Sequence, residues 1–304
     1  MYYTGFADEA SDSIEKQIQV TKELGWEYIE SRNIDGTNLT DISDEKFEEV
    51  AEKLNEAGIK VNCCGSAVAN WGKDPRDEES FKKSLEELKR AIPRMQRLGT
   101  KMIRGMSYGI PKELSPDNPE LEDKIIDNLK KMVKMCEDAG IIYLHENCMN
   151  YFSQSYEKMD KLISEIDSPN FKIVFDTGNP LMADNRMGET PYGKQTSWEA
   201  YQQLKDEIAY VHIKDGVFVK ETDGIFPEMD YCYPGDGNGE LKKIVKDLLA
   251  DGYDGGFSIE PHMDAVYHEE RDDNQADARY NTYLEYGKRF MQLMEEIKKE
   301  VEED

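Results

Sequence analysis

Apolar residues recur at i, i+3, i+4 and i+7 through SIEKQIQVTKEL, DEKFEEVAEKLNEA, DEESFKKSLEELKRAI, DKIIDNLKKMVKMCEDA, SYEKMDKLISEI, SWEAYQQLKDEI and GELKKIVKDLLA. That spacing belongs to helices packed along one face. An eighth and longer stretch, roughly NTYLEYGKRFMQLMEEIKKEVE, lies near the end of the chain. Between these patterns run short apolar segments that read as strands: YYTGFA, EYIESR, KVNCCG, KMIRGM, IIYLHEN, FKIVFD, AYVHIKD and GGFSIE. One junction repeats. ELGWEYIE, EAGIKVN, RLGTKMIR and DAGIIYLHE each pass from helix to strand through a glycine (Gly25, Gly58, Gly99, Gly140), and ADGYDGGFSIE with Gly252 is a fifth copy. Glycine just past a helix end enters the left-handed conformation cheaply.

Eight strands alternating with eight helices predict a closed parallel (β/α)8 TIM barrel, with an open doubly wound sheet as the alternative. No Pro- or Ser-rich linker divides the chain, so residues 1–304 are expected to form a single domain with a C-terminal helix extension. Two long loops stand out: VFVKETDGIFPEMDYCYPGDGNGE after the seventh strand and PHMDAVYHEERDDNQADARY after the eighth. Loops of that length at a barrel mouth build lids or substrate walls.

Composition narrows the partners. The 38 Lys and Arg against 64 Asp and Glu give a net charge of −26. Nucleic acid and anionic membrane surfaces are disfavoured, and no segment approaches the roughly 18 apolar residues of a membrane helix. The N-terminus lacks the pattern of a secretory signal. Five cysteines without a CxxC pair fit free thiols in a reducing cytoplasm.

Barrel enzymes carry reactive groups at the C-terminal ends of strands. The fifth to eighth strands each end on a polar residue: Glu146 in IIYLHENC, Asp176 in FKIVFDTGN, His212 in AYVHIKDG and Glu260 in GGFSIEPH. Singly, each carboxylate fits a helix cap or ion pair equally well, and a lone histidine is more often structural. Together, three carboxylates converging on one mouth would repel one another unless a divalent cation joined them. Three oxygen ligands and one nitrogen suit Mn2+, placed first here, or Mg2+, Co2+ or Zn2+.

The ordered set HEN, FDTGN, VHIKD and SIEPH resembles the xylose-isomerase-like TIM-barrel superfamily of sugar isomerases and epimerases, especially its D-tagatose 3-epimerase and inositol-catabolism isomerase/dehydratase branches. The resemblance spans essentially the whole chain. It implies that Glu146, Asp176, His212 and Glu260 ligate one metal ion and that Glu146 and Glu260 also move the proton. The implied activity is a metal-dependent sugar isomerase or epimerase that shifts a proton alpha to a ketose carbonyl through a metal-bound enediolate. A lyase or dehydratase acting on a keto-inositol or 3-keto-glycoside through the same site is the alternative. A non-catalytic sugar-binding barrel is a lesser one. Barrels of this family often pair through their mouths, which admits a homo-oligomer.

Further residues are candidates for substrate binding. Alternation points Lys214 and His262 inward after His212 and Glu260, although an ion pair of Lys214 with Asp215 or another rim carboxylate, and an orienting role for His262, stand beside that reading. Asn179 is a candidate sugar contact, Arg104 reaches either the pocket or Glu30, and Trp71 either stacks on a sugar face or packs against loops. His145 is expected to be structural. Two positions depart from the epimerase pattern: Asn179 stands where those enzymes commonly carry a histidine, and Phe218 where they carry an arginine. The glycines of PGDGNGE fit a tight turn at the seventh helix better than a phosphate cradle, because Asp236 and Glu240 lie among them and no lysine closely flanks the glycines. The expected substrate is therefore a non-phosphorylated sugar or sugar derivative.

Overall fold

The computed structural model describes residues 1–111, 113–114, 118–184, 192–224, 226–263 and 273–303. Eight parallel strands form one sheet: β1 (Tyr2–Gly5), β2 (Tyr28–Ser31), β5 (Lys60–Gly65), β6 (Met102–Gly105), β7 (Ile142–Glu146), β8 (Phe171–Asp176), β9 (Ile208–Ile213) and β12 (Gly256–Ile259). Around it lie α1 (Ile14–Glu23), α2 (Asp44–Ala57), α3 (Glu78–Leu98), α4 (Pro119–Asp138), α5 (Tyr156–Ile166), α6 (Ser197–Leu204), α7 (Leu241–Ala250) and α8 (Asp273–Glu303). The strand order is β1-β12-β9-β8-β7-β6-β5-β2. One parallel bridge, Phe6 to Glu30, joins β1 to β2 and all but closes the ring. The (β/α)8 barrel expected from the apolar pattern is the fold observed.

Gly25, Gly58, Gly99, Gly140 and Gly252 all have φ between 67° and 82°, the conformation their position past a helix end demands. Side-chain caps start several helices: Asp77 accepts from the N–H groups of Glu79 and Ser80, and Ser155 from that of Lys158.

Two short hairpins add to the barrel. β3 (Asn33–Ile34) pairs with β4 (Thr37–Asn38), and β10 (Gly216–Lys220) pairs antiparallel with β11 (Glu228–Tyr231). The second lies within the long segment after the seventh barrel strand. Of the long segment after the eighth strand, residues 264–272 lie outside the described residues. The C-terminal EEIKKEVEED has the reading of a solvated end, yet α8 packs closely there. Ile297 is fully buried, and Glu300 pairs with Lys242 and Lys246 of α7.

Inside the barrel, Cys63, Leu144, Val174 and Tyr210 form an apolar plug. Residues two apart on a strand face the same side. Leu144, Val174 and Tyr210 therefore set Glu146, Asp176 and His212 one layer above them, at the C-terminal mouth.

Candidate metal and active centre

Glu146, Asp176, His212 and Glu260 each offer a ligand atom within 4.8 Å of the others, and all four side chains are buried. Four residues spread over 115 positions of sequence (146 to 260) therefore share one point because β7, β8, β9 and β12 are sequential neighbours in the barrel.

Each member is fixed by its own partners. Asp176 Oδ1 accepts from the N–H groups of Gly178 (2.8 Å) and Asn179 (2.7 Å), which aims Oδ2 at the centre, 3.0 Å from Lys214 Nζ. His212 lies between two carboxylates, with Nδ1 3.3 Å from Glu146 Oε1 and Nε2 3.0 Å from Glu30 Oε2. Glu30 Oε2 also accepts from Tyr210 Oη (2.9 Å) and Ser258 Oγ (2.6 Å). Arg104 Nη1 lies 3.2 Å from Glu146 Oε2. Glu260 meets Lys214 Nζ at 3.0 Å and Arg32 Nη1 at 3.1 Å.

The floor is aromatic. Phe6 stands edge-on to His212, with ring centroids 5.1 Å apart, and lies under the guanidinium groups of Arg32 (4.3 Å) and Arg104 (5.1 Å). Gly65 makes room for it, because a Cβ there would come within 2.5 Å of the Phe6 ring.

The electrostatics follow from crowding in a dry site. Burial opposes charge on Glu146, but Arg104 and His212 outweigh it and hold the carboxyl at about 2. Burial opposes charge on Glu260 too, and Lys214, His262, His212 and Arg32 bring it well below the ordinary range. Burial, with Glu260 and Glu146 close by, raises Asp176 to about 6 against the pull of Lys214. For His212 burial disfavours the proton, yet Glu30 and Glu146 raise it to about 10.

Among the described residues, six buried carboxylates (Asp8, Glu9, Glu30, Glu146, Asp176 and Glu260) gather around three permanent cations, Arg32, Arg104 and Lys214, with His212 and His262 beside them. Carboxylates therefore outnumber permanent cations among the described residues, and crowding like charges in a buried site is costly. A divalent cation fits this charge balance and the donor set of three carboxylates and one imidazole.

The remaining sequence candidates fall into distinct places. Lys214 bridges Asp176 and Glu260 rather than Asp215. Arg104 reaches Glu146. His262 lies beyond the end of β12 with φ of 56°, so a left-handed turn orients it instead of strand alternation; Nδ1 is 2.8 Å from Glu9 and Nε2 3.8 Å from Glu260. Asn179 is buried, its amide nitrogen and oxygen have no hydrogen-bond partner among the described residues, and it lines a small cavity with Asn147 and Gln195. Trp71 stands edge-on to Phe226 at 5.3 Å and lines a cavity whose described walls include none of the four candidate ligands. His145 is fully buried, 3.1 Å from Ser107 Oγ, and its burial lowers its pKa to about 4, in keeping with a structural role. Phe218 lies on β10 beneath Lys194 Nζ, 4.8 Å from the ring centroid.

Asp8, Glu9 and Arg32 were missed. Arg32 directly follows β2, whereas Asp8 and Glu9 lie in a 3-10 turn (Ala7–Glu9) past the end of β1. The glycine cluster has a clear role: the N–H groups of Gly235, Gly237 and Gly239 all donate to the Asp215 carboxylate, at 2.9, 3.1 and 2.9 Å. The cradle is filled by the chain's own anion.

The model of the xylose isomerase-like TIM barrel family matches residues 18–283. The chain belongs to this family. An inosose dehydratase of Lacticaseibacillus casei is 24% identical over 81% of this chain and 91% of its own length. Solved barrels include a 3-keto-D-glucoside 4-epimerase from E. coli, with a TM-score of 0.63 and 20% identity over 94% of this chain and 99% of that one. Another is a xylose isomerase-like TIM barrel protein from Mycobacterium smegmatis in complex with magnesium, with a TM-score of 0.62 and 17% identity over 90% and 87% of the two chains. No helix among the described residues is long and apolar enough to cross a membrane.

Proposed function

We propose that this family member is a divalent-metal-dependent sugar isomerase or epimerase that moves a proton alpha to a ketose carbonyl. One observation carries the reading: two glutamates from strands β7 and β12 converge on one point, and each is kept ionised by its own cations. An ionised carboxylate has a lone pair for a proton, and the carbon acid would be activated by the bound cation rather than by the strength of the base. Glu146, Asp176, His212 and Glu260 would hold the ion. Bound there, it would supply Lewis-acid polarisation of a substrate carbonyl.

The chain's own groups do the rest. A carboxylate oxygen of Glu146 or Glu260 removes the proton from the carbon next to the carbonyl. In an epimerase the other glutamate returns a proton from the opposite face, whereas in an isomerase the proton returns to the adjacent carbon. Lys214 Nζ, between Asp176 and Glu260, is placed to stabilise negative charge developing on a substrate oxygen. Arg32 and Arg104 keep the two bases charged, and His262 orients Glu260 or meets a hydroxyl. The unpartnered amide of Asn179 is a candidate to meet a second hydroxyl. The Asp215-filled glycine cradle supports a non-phosphorylated substrate, since an anion arriving there would have to displace a carboxylate.

The inosose dehydratase relatives favour one second reading, a lyase on a keto-inositol or 3-keto-glycoside. The same proton abstraction expels a leaving group placed beyond the acidic carbon. Metal analysis of the purified protein, combined with solvent-deuterium exchange across ketoses, keto-inositols and keto-glycosides, tests both readings. Deuterium in an interconverted epimer or isomer supports the first, and an unsaturated product supports the second. Protein that takes up no divalent metal and exchanges no substrate proton overturns both.

A further inference from the structure

A cavity of about 710 Å3 opens at the mouth of the barrel, inside the usual range for small-molecule sites. Its walls come from the loops after β5, β6 and β7 and from the tip of the β10–β11 hairpin, so it lies on the face of the barrel that carries the four ligands.

The cavity adjoins a smaller space next to the backbone that follows Glu146. Ile110, Met149, Gln154 and Glu221 line both the cavity and that space, which includes Cys148, Asn150 and Ser153. Asn150 Nδ2 and Ser153 Oγ donate to the Glu146 carbonyl oxygen at 3.0 and 2.9 Å.

Its chemistry is selective. Trp71 supplies an aromatic plate on a stiff mount: Tyr108 N–H donates to the Ala69 carbonyl, Gly109 N–H to that of Lys73 (2.9 Å), and a Cβ at Gly109 would fall 2.4 Å from the Trp71 carbonyl oxygen. Asp74, Glu113, Glu221 and Asp223 line the space. Among its described lining residues the two cations are engaged, Arg76 by Asp74 and Glu113, and Lys73 by Glu87 at 3.1 Å. Asp74 and Glu113 are in turn held by Arg76 and Glu221 by Lys194, so the described lining carries a small excess of negative charge, which disfavours phosphate or carboxylate groups. A neutral, hydroxyl-rich ring with one apolar face would stack on the indole and donate its hydroxyls to the carboxylates.

We infer that this cavity is a second sugar subsite, so that the substrate is a keto-glycoside whose keto ring sits at the metal centre while its neutral partner ring lies on Trp71. The inference rests on the proposed ketose chemistry and names the substrate class of that site.

The test compares kcat/KM for proton exchange by the Mn2+-loaded protein on 3-ketotrehalose and 3-ketosucrose with that on 3-ketoglucose. The readout is the ratio of disaccharide to monosaccharide, so a general loss of activity cancels. Wild type should favour a disaccharide, Trp71→Ala should cut that preference about tenfold, chiefly through KM, and Trp71→Phe should restore part of it. A calorimetric titration with unmodified trehalose and sucrose, compared with glucose, reads the subsite without turnover. Ring-independent kcat/KM, or a preference that survives Trp71→Ala, overturns the inference while leaving the exchange reaction standing. Absence of exchange with every keto-sugar sinks the proposed reaction instead, and disaccharide binding weakened by Trp71→Ala would still support the subsite.

Discussion

Glu30 holds the far side of His212: its Oε2 lies 3.0 Å from Nε2, which leaves Nδ1 facing the carboxylate cluster. Carboxylates behind ligating histidines fix tautomer and ring orientation. Glu30→Gln should therefore weaken Mn2+ affinity by about 10- to 100-fold while the fold persists. Competition titration against a fluorescent chelator measures it, and unchanged affinity would show that His212 needs no such support.

The excess of buried carboxylates over permanent cations makes metal a stabiliser. At a free concentration 100 times Kd, a bound ion adds about 2.7 kcal/mol to the folded state. Treatment with EDTA should lower Tm by several degrees, and Mn2+ or Mg2+ should restore it. Identical melting curves with and without chelator would count against metal binding at this centre.

Asp215 gathers the N–H groups of Gly216, Gly235, Gly237 and Gly239. Asp215→Ala would strand those donors in a part-buried turn, at a cost of about 3 kcal/mol. Thermal unfolding should show the loss. Gly237→Ala should be destabilising for the same reason, since its Cβ would lie 2.2 Å from Asp215 Oδ1.

Glu122 ties α4 to α5 through Lys158 (2.7 Å) and Lys161 (2.5 Å). Burial opposes its charge, but these two ammonium groups outweigh it and hold its pKa below the ordinary value. A carboxyl depressed on folding contributes stability that is complete above its unfolded pKa, about 4.3, and is lost as pH falls through the folded value. Glu122→Gln should cost about 2 kcal/mol at pH 7. The gap to wild type should narrow as the pH drops below about 4.5. Denaturant melts at pH 7 and pH 3.5 compare the two, and a constant gap would exclude the ion pair as its source.

The barrel was readable because its cues are local. A glycine past each helix needs only its own φ, and the pairing of Leu144 with Glu146 or Tyr210 with His212 needs only strand alternation. The partners around the centre are not local. Arg32 reaches Glu260 across 228 positions of sequence, and Glu30 reaches His212 across 182. Barrel closure decides which ends of strands face each other, and no short window contains it. Arg32 follows β2 directly, but Asp8 and Glu9 reach the centre from a 3-10 turn past β1, which strand alternation does not foretell. Lys214 follows His212 inward as alternation requires, whereas His262 lies past β12 in a left-handed turn, where alternation lapses. The β10–β11 hairpin hid in a stretch whose alternation is short and interrupted by turn residues.

The single bridge between Phe6 and Glu30 leaves the β1–β2 edge as the barrel's weakest joint. The charged centre spans that joint: Arg32 and Glu30 follow from β2, while their partners Glu260, Ser258 and His212 belong to β12 and β9. The site thus acts as a clasp. Loosening the centre should appear first as faster amide hydrogen exchange along β1 and β2, before any loss in the strands opposite, so that assembly of the reactive groups and closure of the ring become one cooperative event.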